Sequence, residues 1–313
     1  MHPTIRFDDI RRAFGRNEVL CGLSLAVRPG EVYALLGRNG AGKTTAIRVL
    51  VGFLQADAGS CSVLGADSTR LTPVLRDRIG YVGEGQALYP WMRVSEVLAF
   101  EQGTRRRFDR EHARRLLERL GLEPDRRVDA LSRGARAQLA LTVAVASRPE
   151  VLILDDPAAG LDAVVRREFL EVMIDVIGEQ GCAVLFSSHV LSDVERVADR
   201  VGLLQGGRLL VDATLDDLKR RVERRRVRTA GRPPAVAGLL AARAVGQGYE
   251  LTLLDHDAER HAQLAEAVTS VSAPETPSLE ELFLDLLGRH AGDAPTDAPS
   301  GRRTEHETGR PYP

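Results

Sequence analysis

A glycine-rich stretch, Gly37-Arg-Asn-Gly-Ala-Gly-Lys-Thr-Thr45, constrains this chain more than any other feature. It fits the pattern G-x-x-x-x-G-K-[ST], in which glycines let the backbone N–H groups turn inward and form a concave anion site. In this pattern Lys43 reaches the β- and γ-phosphates of a nucleotide, and the Thr44 hydroxyl ligates Mg²⁺. An apolar strand pattern at 32–36 precedes the loop and a helical pattern at 45–50 follows it, so the helix N-terminus is predicted to face the phosphates.

A chance glycine-rich turn also fits this pattern in unrelated proteins, and residue usage argues against that alternative. Of the 43 basic residues, only Lys43 and Lys219 are lysines, so the chain uses arginine almost everywhere else. A point charge on a flexible stem fits between phosphates where a planar guanidinium does not. We therefore interpret residues 37–45 as a nucleotide-binding loop.

The whole chain narrows the class of protein. It has 313 residues and a net charge of −1, so no global basic field favours a nucleic-acid partner. Its three cysteines are widely spaced, which is typical of reduced thiols in the cytoplasm. No apolar stretch approaches the roughly 18 residues of a membrane-spanning helix. If the protein works at a membrane, another chain is expected to supply the membrane part.

Strand and helix patterns alternate along residues 1–220. Half-buried strands are predicted at 4–7 and 23–27, and fully apolar strands at 151–154 and 182–186. Between them the period becomes helical over about 85–135, where Asp109 is the expected N-cap of a helix. This order predicts an α/β fold with a parallel sheet and a helical insertion.

The rest of the chain is predicted to form a separate, smaller unit. Seven basic residues crowd the segment 219–228, which we interpret as a solvated linker. A strand at 249–254 and a capping box at Ser278-Leu-Glu-Glu281 then indicate a small accessory domain over 221–290. Residues 291–313 contain almost no large apolar side chains, so this tail is predicted to be disordered.

Five further features mean little singly and much together. They are Phe14, Glu84 after Tyr81-Val-Gly, the turn Leu131-Ser-Arg-Gly134, the pair Asp155-Asp156, and His189. With the phosphate loop, this set resembles the nucleotide-binding subunit of the ATP-binding-cassette (ABC) transporter family over residues 4 to about 220. The resemblance implies a P-loop NTPase with a RecA-like parallel sheet core, an antiparallel β subdomain and a helical subdomain. Residues 221–290 would be a small C-terminal α+β extension.

The resemblance implies ATP and Mg²⁺ as the bound ligands. It assigns nucleotide contacts to Phe14, Gly37, Arg38, Asn39, Gly40, Ala41, Gly42, Lys43, Thr44, Thr45, Ser132, Gly134 and Asp162. It assigns Mg²⁺ contacts to Thr44, Glu84 and Asp155, and catalytic roles to Asp156, His189 and Glu84.

Individual roles follow from the same resemblance. Phe14 would stack on adenine, although a core phenylalanine beside a strand is the alternative. Asp156 would polarise the attacking water, and His189 would contact the γ-phosphate. Ser132 and Gly134 resemble the signature turn that caps the nucleotide of a second subunit. ATP would then join two nucleotide-binding subunits, identical or different, head to tail.

Three positions depart from the usual family pattern. Asp156 stands where the family usually has Glu, and Glu84 stands where it usually has Gln. The signature, usually Leu-Ser-Gly-Gly-Gln, reads Leu131-Ser-Arg-Gly-Ala135. These changes bear on the hydrolysis rate more than on nucleotide binding, because a carboxylate displaced by about one ångström can cost on the order of a hundredfold in rate.

The leading hypothesis is an ATPase subunit, peripheral on the inner face of the cell membrane, that drives a separate permease. Residues 229–290 resemble the C-terminal extension of export-type subunits, which favours export. Trp91 and Met92 either receive a permease helix or pack within the helical subdomain. The alternatives are a soluble switch acting on ribosomes or DNA, and a regulatory cassette with weak hydrolysis. The soluble switch would require a second cassette, a long coiled coil or zinc modules. The regulatory cassette is suggested by Asp156, which stands where the family usually has Glu.

Overall fold

The computed structural model describes residues 2–85, 87–229 and 231–289, so the tail predicted to be disordered lies outside the described residues. The chain divides into two compact units, with the boundary between Arg220 and Arg221. The strands are β1 (Ile5–Phe14), β2 (Asn17–Val27), β3 (Val32–Leu36), β4 (Ala58–Val63), β5 (Ala66–Asp67), β6 (Ile79–Val82), β7 (Val151–Asp155), β8 (Ala183–Ser188), β9 (Arg200–Gln205), β10 (Arg208–Thr214), β11 (Val222–Arg228), β12 (Leu239–Val245), β13 (Gly248–Leu254) and β14 (Ser270–Val271). The helices are α1 (Lys43–Leu50), α2 (Pro73–Arg76), α3 (Val94–Thr104), α4 (Arg110–Arg119), α5 (Arg133–Ala146), α6 (Ala163–Gln180), α7 (Leu191–Val197), α8 (Leu215–Arg221), α9 (Ala258–Ala267) and α10 (Leu279–Arg289).

The first unit is built on a six-stranded sheet in the order β10-β9-β3-β8-β7-β6. The pairs β9–β3, β3–β8, β8–β7 and β7–β6 are parallel, and β10 closes one edge as an antiparallel strand. Every residue of β3, β7 and β8 is buried, as expected of parallel strands covered on both faces. Because these strands lie side by side, the segments that follow Leu36, Asp155 and Ser188 emerge at one edge of the sheet.

Two smaller layers complete this unit. The antiparallel sheet β2-β1-β4-β5 shares a hydrophobic core with helix α1 and the parallel sheet, with Ile5, Leu23, Leu35, Ile47 and Leu50 all fully buried. Helices α3, α4 and α5 enclose a second core. The helical segment predicted at about 85–135 is therefore a packed subdomain.

The N-cap predicted at Asp109 is confirmed. Its Oδ1 accepts a hydrogen bond from the His112 N–H at 2.9 Å, and its Oδ2 pairs with the Arg148 guanidinium at 2.9 Å. The His112 N–H, followed by the Arg148 contact, holds the pKa of the Asp109 carboxyl below its usual range. The ionised carboxylate is therefore the form that stabilises the start of α4.

We expect Asp109→Ala to lower the free energy of unfolding by about 1 kcal/mol at pH 7, or roughly 2–4 °C in Tm. Because the folded-state pKa is depressed, this contribution is present above the unfolded pKa of about 3.9 and is lost as the pH falls through the folded value. Thermal unfolding should therefore show a difference between variant and parent that shrinks below pH 4 or so. Asp125→Ala is the control, since this exposed carboxylate makes no hydrogen bond to another described residue. An equal loss for Asp125→Ala would contradict the capping role.

The second unit contains a four-stranded antiparallel sheet in the order β12-β13-β11-β14, with helices α9 and α10. The linker predicted at 219–228 is wrong, because residues 222–228 form the inner strand β11. Val222 and Val227 are buried, and the basic Arg224 is only 6 % exposed. Two carboxylates form ion pairs with this buried guanidinium: that of Asp285, at 3.2 Å, and that of Glu281. These ion pairs with residues far along the chain neutralise the buried charge, so a segment that looked self-repelling can form a strand.

Helix α10 begins as predicted. Glu281 N–H donates to Ser278 Oγ at 3.3 Å, and Ser278 N–H donates to Glu281 Oε2 at 2.8 Å, which is the expected capping box. Over the described ranges, none of the helices combines the length and apolar character needed to cross a bilayer.

Candidate functional site

A cavity of about 510 Å³ opens where the parallel strands of the first unit end. Its walls come from the β2 hairpin, the glycine-rich loop, the segment after β6, and the ends of β7 and β8. The lining residues are Asn17, Val19, Asn39, Gly40, Gly42, Lys43, Thr44, Thr45, Glu84, Asp155, Asp156 and Ser187. Much of the predicted nucleotide-contact set is therefore brought together in one place.

The glycine-rich loop connects β3 to α1 in the conformation that its pattern requires. Gly42 adopts a φ of 107°, and a Cβ at this position would lie 2.8 Å from the Val19 carbonyl oxygen, so both strain and space exclude a side chain. Lys43 Nζ donates hydrogen bonds to the carbonyl oxygens of Gly37 at 2.7 Å and Arg38 at 3.2 Å. Burial lowers the pKa of Lys43, and the charges of Asp156, Asp155 and Glu84 oppose that shift. The ammonium is thus held inside the loop in an acidic cavity.

Asp155, the last residue of β7, is joined to both neighbouring segments. Its Oδ1 accepts hydrogen bonds from the hydroxyls of Thr44 at 3.0 Å and Ser187 at 2.9 Å. Its Oδ2 is buried and has no hydrogen bond within the described part of the chain. Burial raises the pKa of Asp155, although the two hydroxyl contacts oppose the shift. One carboxylate oxygen is therefore left free for a bound group.

Asp156 follows in a strained backbone conformation. Its φ is +46°, in the left-handed region that aspartate tolerates better than most residues. Its N–H donates to Ser187 Oγ at 2.8 Å, and its carboxylate oxygens lie 2.9 and 3.1 Å from His189 Nδ1. Strained residues held by their neighbours cluster at functional sites, and here the Asp156 carboxylate lies beside His189.

Ser187 is the residue that sequence reasoning missed. It hydrogen-bonds to both Asp155 and Asp156, whereas the family resemblance assigns a role only to His189, two residues later. The signal was a polar residue at the end of an apolar strand, beside another strand that ends in two aspartates. That signal needs the pairing of β7 with β8, in which Asp155 lies opposite Ser187, before it can be interpreted.

Two further predicted residues lie at the edge of the site. Glu84 lines the cavity and is exposed, with no hydrogen bond to another described residue. Phe14 ends β1 opposite Asn17, a cavity residue, and is 49 % exposed. The Arg12 guanidinium covers part of the ring, with its Cζ 4.9 Å from the ring centroid. This exposure contradicts the alternative of a core phenylalanine.

The remaining predicted residues do not line the cavity. Ser132 is exposed and caps α5, accepting a hydrogen bond from the Ala135 N–H at 3.1 Å. Asp162 caps α6 through the N–H groups of Val164 and Val165, both at 3.0 Å. Gly134 is buried where α5 meets α6, since a Cβ there would lie 2.7 Å from Val165.

Arg133, the residue that departs from the usual signature, packs against the loop that follows Asp156. A Cβ on Gly160 would lie 2.4 Å from the Arg133 guanidinium, and Gly160 adopts a φ of +68°. Gly160 therefore leaves room for this arginine. The signature turn and the loop after β7 contact each other within one chain.

Comparisons with known proteins agree with this geometry. The ABC transporter family model matches residues 20–159. The ABC transporter ATP-binding protein YtrB of Bacillus subtilis is 32 % identical, with 69 % of this chain and 73 % of that protein aligned. The daunorubicin resistance ATP-binding protein DrrA3 of Streptomyces coeruleorubidus is 33 % identical over 91 % of this chain and 96 % of its own length.

A further relative and a solved structure extend the likeness. The linearmycin resistance ATP-binding protein LnrL of B. subtilis is 29 % identical over 92 % of this chain and its entire length. A solved ATP-binding subunit of an ABC transporter superposes with a TM-score of 0.63 at 27 % identity, covering 69 % of this chain and 92 % of that one. The predicted P-loop NTPase fold is confirmed, and so is ATP as the predicted nucleotide. By its relatives as well as by its fold, the chain belongs to the ABC transporter family, as one of its ATP-binding ATPase subunits.

Proposed function

We propose that this chain hydrolyses ATP to power a separate membrane permease, for export. The observation that carries the hydrolytic part is the cavity in which Lys43, Asp155 and Asp156 meet at the end of a parallel sheet. Export is supported by the relatives LnrL and DrrA3, which are named for resistance to linearmycin and daunorubicin and align over nearly the whole chain. Both alignments extend well beyond the 220 residues of the first unit.

ATP would bind with its phosphates in the loop 37–45. The Lys43 ammonium lies inside the loop, where it contacts the carbonyl oxygens of Gly37 and Arg38, and it would meet the β- and γ-phosphates there. Phe14, exposed at the rim, offers a ring on which adenine can stack.

The same cavity fits Mg²⁺. Among the described residues no group of three or more His, Cys, Asp or Glu side chains could hold a metal by itself, as expected where substrate phosphates supply ligands. Thr44, Asp155 with its unpaired Oδ2, and Glu84 would hold the ion. When bound, Mg²⁺ supplies neutralisation of the triphosphate charge.

Hydrolysis would depend on Asp156 and His189. A carboxylate orients and polarises the attacking water, and the imidazole beside it holds that carboxylate in place. His189 is exposed, which leaves it accessible to the γ-phosphate. Because Asp156 is one methylene shorter than the usual glutamate, the proposed rate is lower than that of family members with Glu at this position.

A complete site would need a second subunit. Ser132, Gly134 and Asp162 lie outside the cavity of their own chain, and Ser132 and Asp162 are exposed. The first two would close over the nucleotide of the second subunit, with Asp162 in the adjoining loop. The exposed Arg133 would then bring a cation to the partner's phosphates.

We expect Asp156→Asn to form a stable dimer with ATP and Mg²⁺, because nucleotide stays uncleaved between the subunits, while ADP leaves monomers. Size-exclusion chromatography with light scattering measures the shift, with the natural partner subunit added if the dimer is mixed. Asp156→Asn combined with Lys43→Ala is the control and should remain monomeric with ATP. An elution volume that is independent of nucleotide would contradict the shared site.

Exposed aromatic side chains support a permease partner. Tyr89 lies 5.2 Å from Trp91 and 5.5 Å from Phe100 between ring centroids, and Trp91 is 63 % exposed. Met92, by contrast, packs against the core of the helical subdomain. A separate groove of about 220 Å³ is lined by Phe53 and Tyr81, among others. Apolar surface of this kind suits an amphipathic segment of a membrane protein on the cytoplasmic side.

Copurification tests this partner. We expect the chain to copurify with a membrane protein encoded beside it, and that protein to stimulate ATP turnover. Trp91→Ala should weaken copurification without changing nucleotide affinity. A chain that binds ATP, turns it over weakly, and is indifferent to any such membrane protein would favour the regulatory switch instead, the alternative that Asp156 motivates.

A further inference from the structure

Two charged side chains outside the cavity form a long ion pair that is not a hydrogen bond. Arg166 lies in α6 and Asp193 in α7, with Arg166 Nε 4.0 Å from Asp193 Oδ2. Both atoms are buried, and neither has a hydrogen bond within the described ranges. A charge-assisted hydrogen bond spans about 2.7–2.9 Å, so a shift of roughly 1 Å would form it.

An open gap of this kind is unfavourable. The Asp193 side chain is 10 % exposed, and a buried polar atom without a partner loses its hydration without compensation. Burial raises the pKa of Asp193, while the cations Arg166 and Arg196, together with His189, act in the opposite direction. Closing the gap would satisfy both orphaned atoms at once.

Arg166 is tied to the loop that follows Asp156. Its Nη2 donates a hydrogen bond to the Leu161 carbonyl oxygen at 3.0 Å. That loop is compact, since the Ala159 N–H donates to the Asp156 carbonyl oxygen at 3.1 Å and the Leu161 N–H to that of Ala158 at 3.2 Å. These hydrogen bonds connect Arg166 to the backbone of Asp156 through the loop.

Asp193 is tied to the same carboxylate from the opposite direction. It lies four residues after His189, whose Nδ1 is 2.9 Å from Asp156 Oδ2. Helix α7 begins at Leu191, so only Val190 separates His189 from the helix that carries Asp193. These contacts form a ring. It runs from Asp156 through the loop to Arg166, across to Asp193, along α7 to His189, and back to the Asp156 carboxylate. The single open step in this ring is the 4.0 Å gap.

We infer that Arg166 and Asp193 are positioning residues, and that closure of their ion pair holds the loop after Asp156 and His189 together so that the Asp156 carboxylate stays oriented for hydrolysis. This inference rests on the proposed ATPase function and adds two residues that do not line the nucleotide cavity.

Single-turnover hydrolysis and nucleotide affinity, measured on the full chain with its partner subunit, separate positioning from folding. We expect Asp193→Asn and Arg166→Gln each to lower the hydrolysis rate about tenfold, with the Kd of a fluorescent ATP analogue within twofold of the parent. The double variant should be no slower than either single variant, because both remove the same link.

The chain offers a matched control and a rescue. Glu171→Gln breaks the exposed Arg167–Glu171 pair on the same helix and should leave both measurements unchanged. Asp193→Glu adds one methylene and can span the 4.0 Å gap, so it should hydrolyse ATP at least as fast as the parent. If Asp193→Asn does not fold, this variant alone carries the test, and a tenfold loss for Asp193→Glu would overturn the inference.

Other outcomes distinguish a failure of the positioning role from a failure of the ATPase function. Normal hydrolysis by both Asp193→Asn and Arg166→Gln would overturn the positioning role while leaving the ATPase function intact. Additive losses, or a Kd that rises in step with the rate loss, would also overturn it. A parent chain that fails to hydrolyse ATP with Mg²⁺ and its partner would overturn the proposed function and the positioning role together.

Discussion

Lys43→Ala is expected to abolish tight binding of Mg·ATP, with the Kd rising by a hundredfold or more. Lys43 is the one lysine among the residues that line the cavity, which also include Glu84, Asp155 and Asp156. Without Lys43, three acidic groups would face the triphosphate with no side-chain cation among the cavity-lining residues. Two charge-assisted contacts of about 1.5–3 kcal/mol each account for a change of this size.

Two companion variants make this experiment specific. Lys219→Ala removes the other lysine of the chain, which lies in α8 and pairs with Glu195 at 3.8 Å, and should leave the nucleotide Kd unchanged. Lys43→Arg keeps the charge but should fail nearly as badly, because a planar guanidinium does not fit where Nζ now contacts two loop carbonyls. Unchanged affinity in Lys43→Arg would contradict the assignment of residues 37–45 as a phosphate cradle.

Asp156→Asn is expected to slow single-turnover hydrolysis by roughly a hundredfold or more, whereas Glu84→Gln should slow it by less than about tenfold. Both carboxylates line the cavity, but they are held differently. Asp156 is fixed by Ser187 at its backbone and by His189 at its carboxylate. Glu84 is exposed and makes no hydrogen bond to another described residue, and we expect it mainly to position Mg²⁺ and water. Rapid-quench measurements at saturating ATP compare the two.

The reverse order of effects would exchange the roles of the two carboxylates. If Glu84→Gln is the inactive variant and Asp156→Asn retains activity, the general base is Glu84. Asp156→Glu is the third member of the series. It restores the methylene that most family members have, and we expect turnover to rise, because the carboxylate then reaches further into the cavity. A slower Asp156→Glu variant would show that the left-handed backbone at 156, which suits aspartate, outweighs the gain in reach.

Much of the fold and many of the candidate residues could be predicted because their signals are local. The phosphate loop is recognisable since its glycines, lysine and threonine are contiguous and each is required by the turn that the backbone makes. The caps at Asp109 and Ser278 are likewise set by residues only three positions apart. Strands β3, β7 and β8 are visible as short apolar runs because parallel strands are covered on both faces.

What sequence could not supply depends on which strands and helices become neighbours. The contacts of Ser187 with both aspartates exist because β8 pairs with β7 in one register, which no local pattern encodes. The segment 222–228 reads as a repelling basic run until Asp285 and Glu281, about 60 residues later, neutralise Arg224. The long Arg166–Asp193 ion pair likewise depends on two helices, α6 and α7, packing side by side. The sequence by itself determined the nucleotide loop, the alternation of strands and helices in the first unit, and the family. The tertiary structure alone decided how the carboxylates are held, because long-range packing sets those distances.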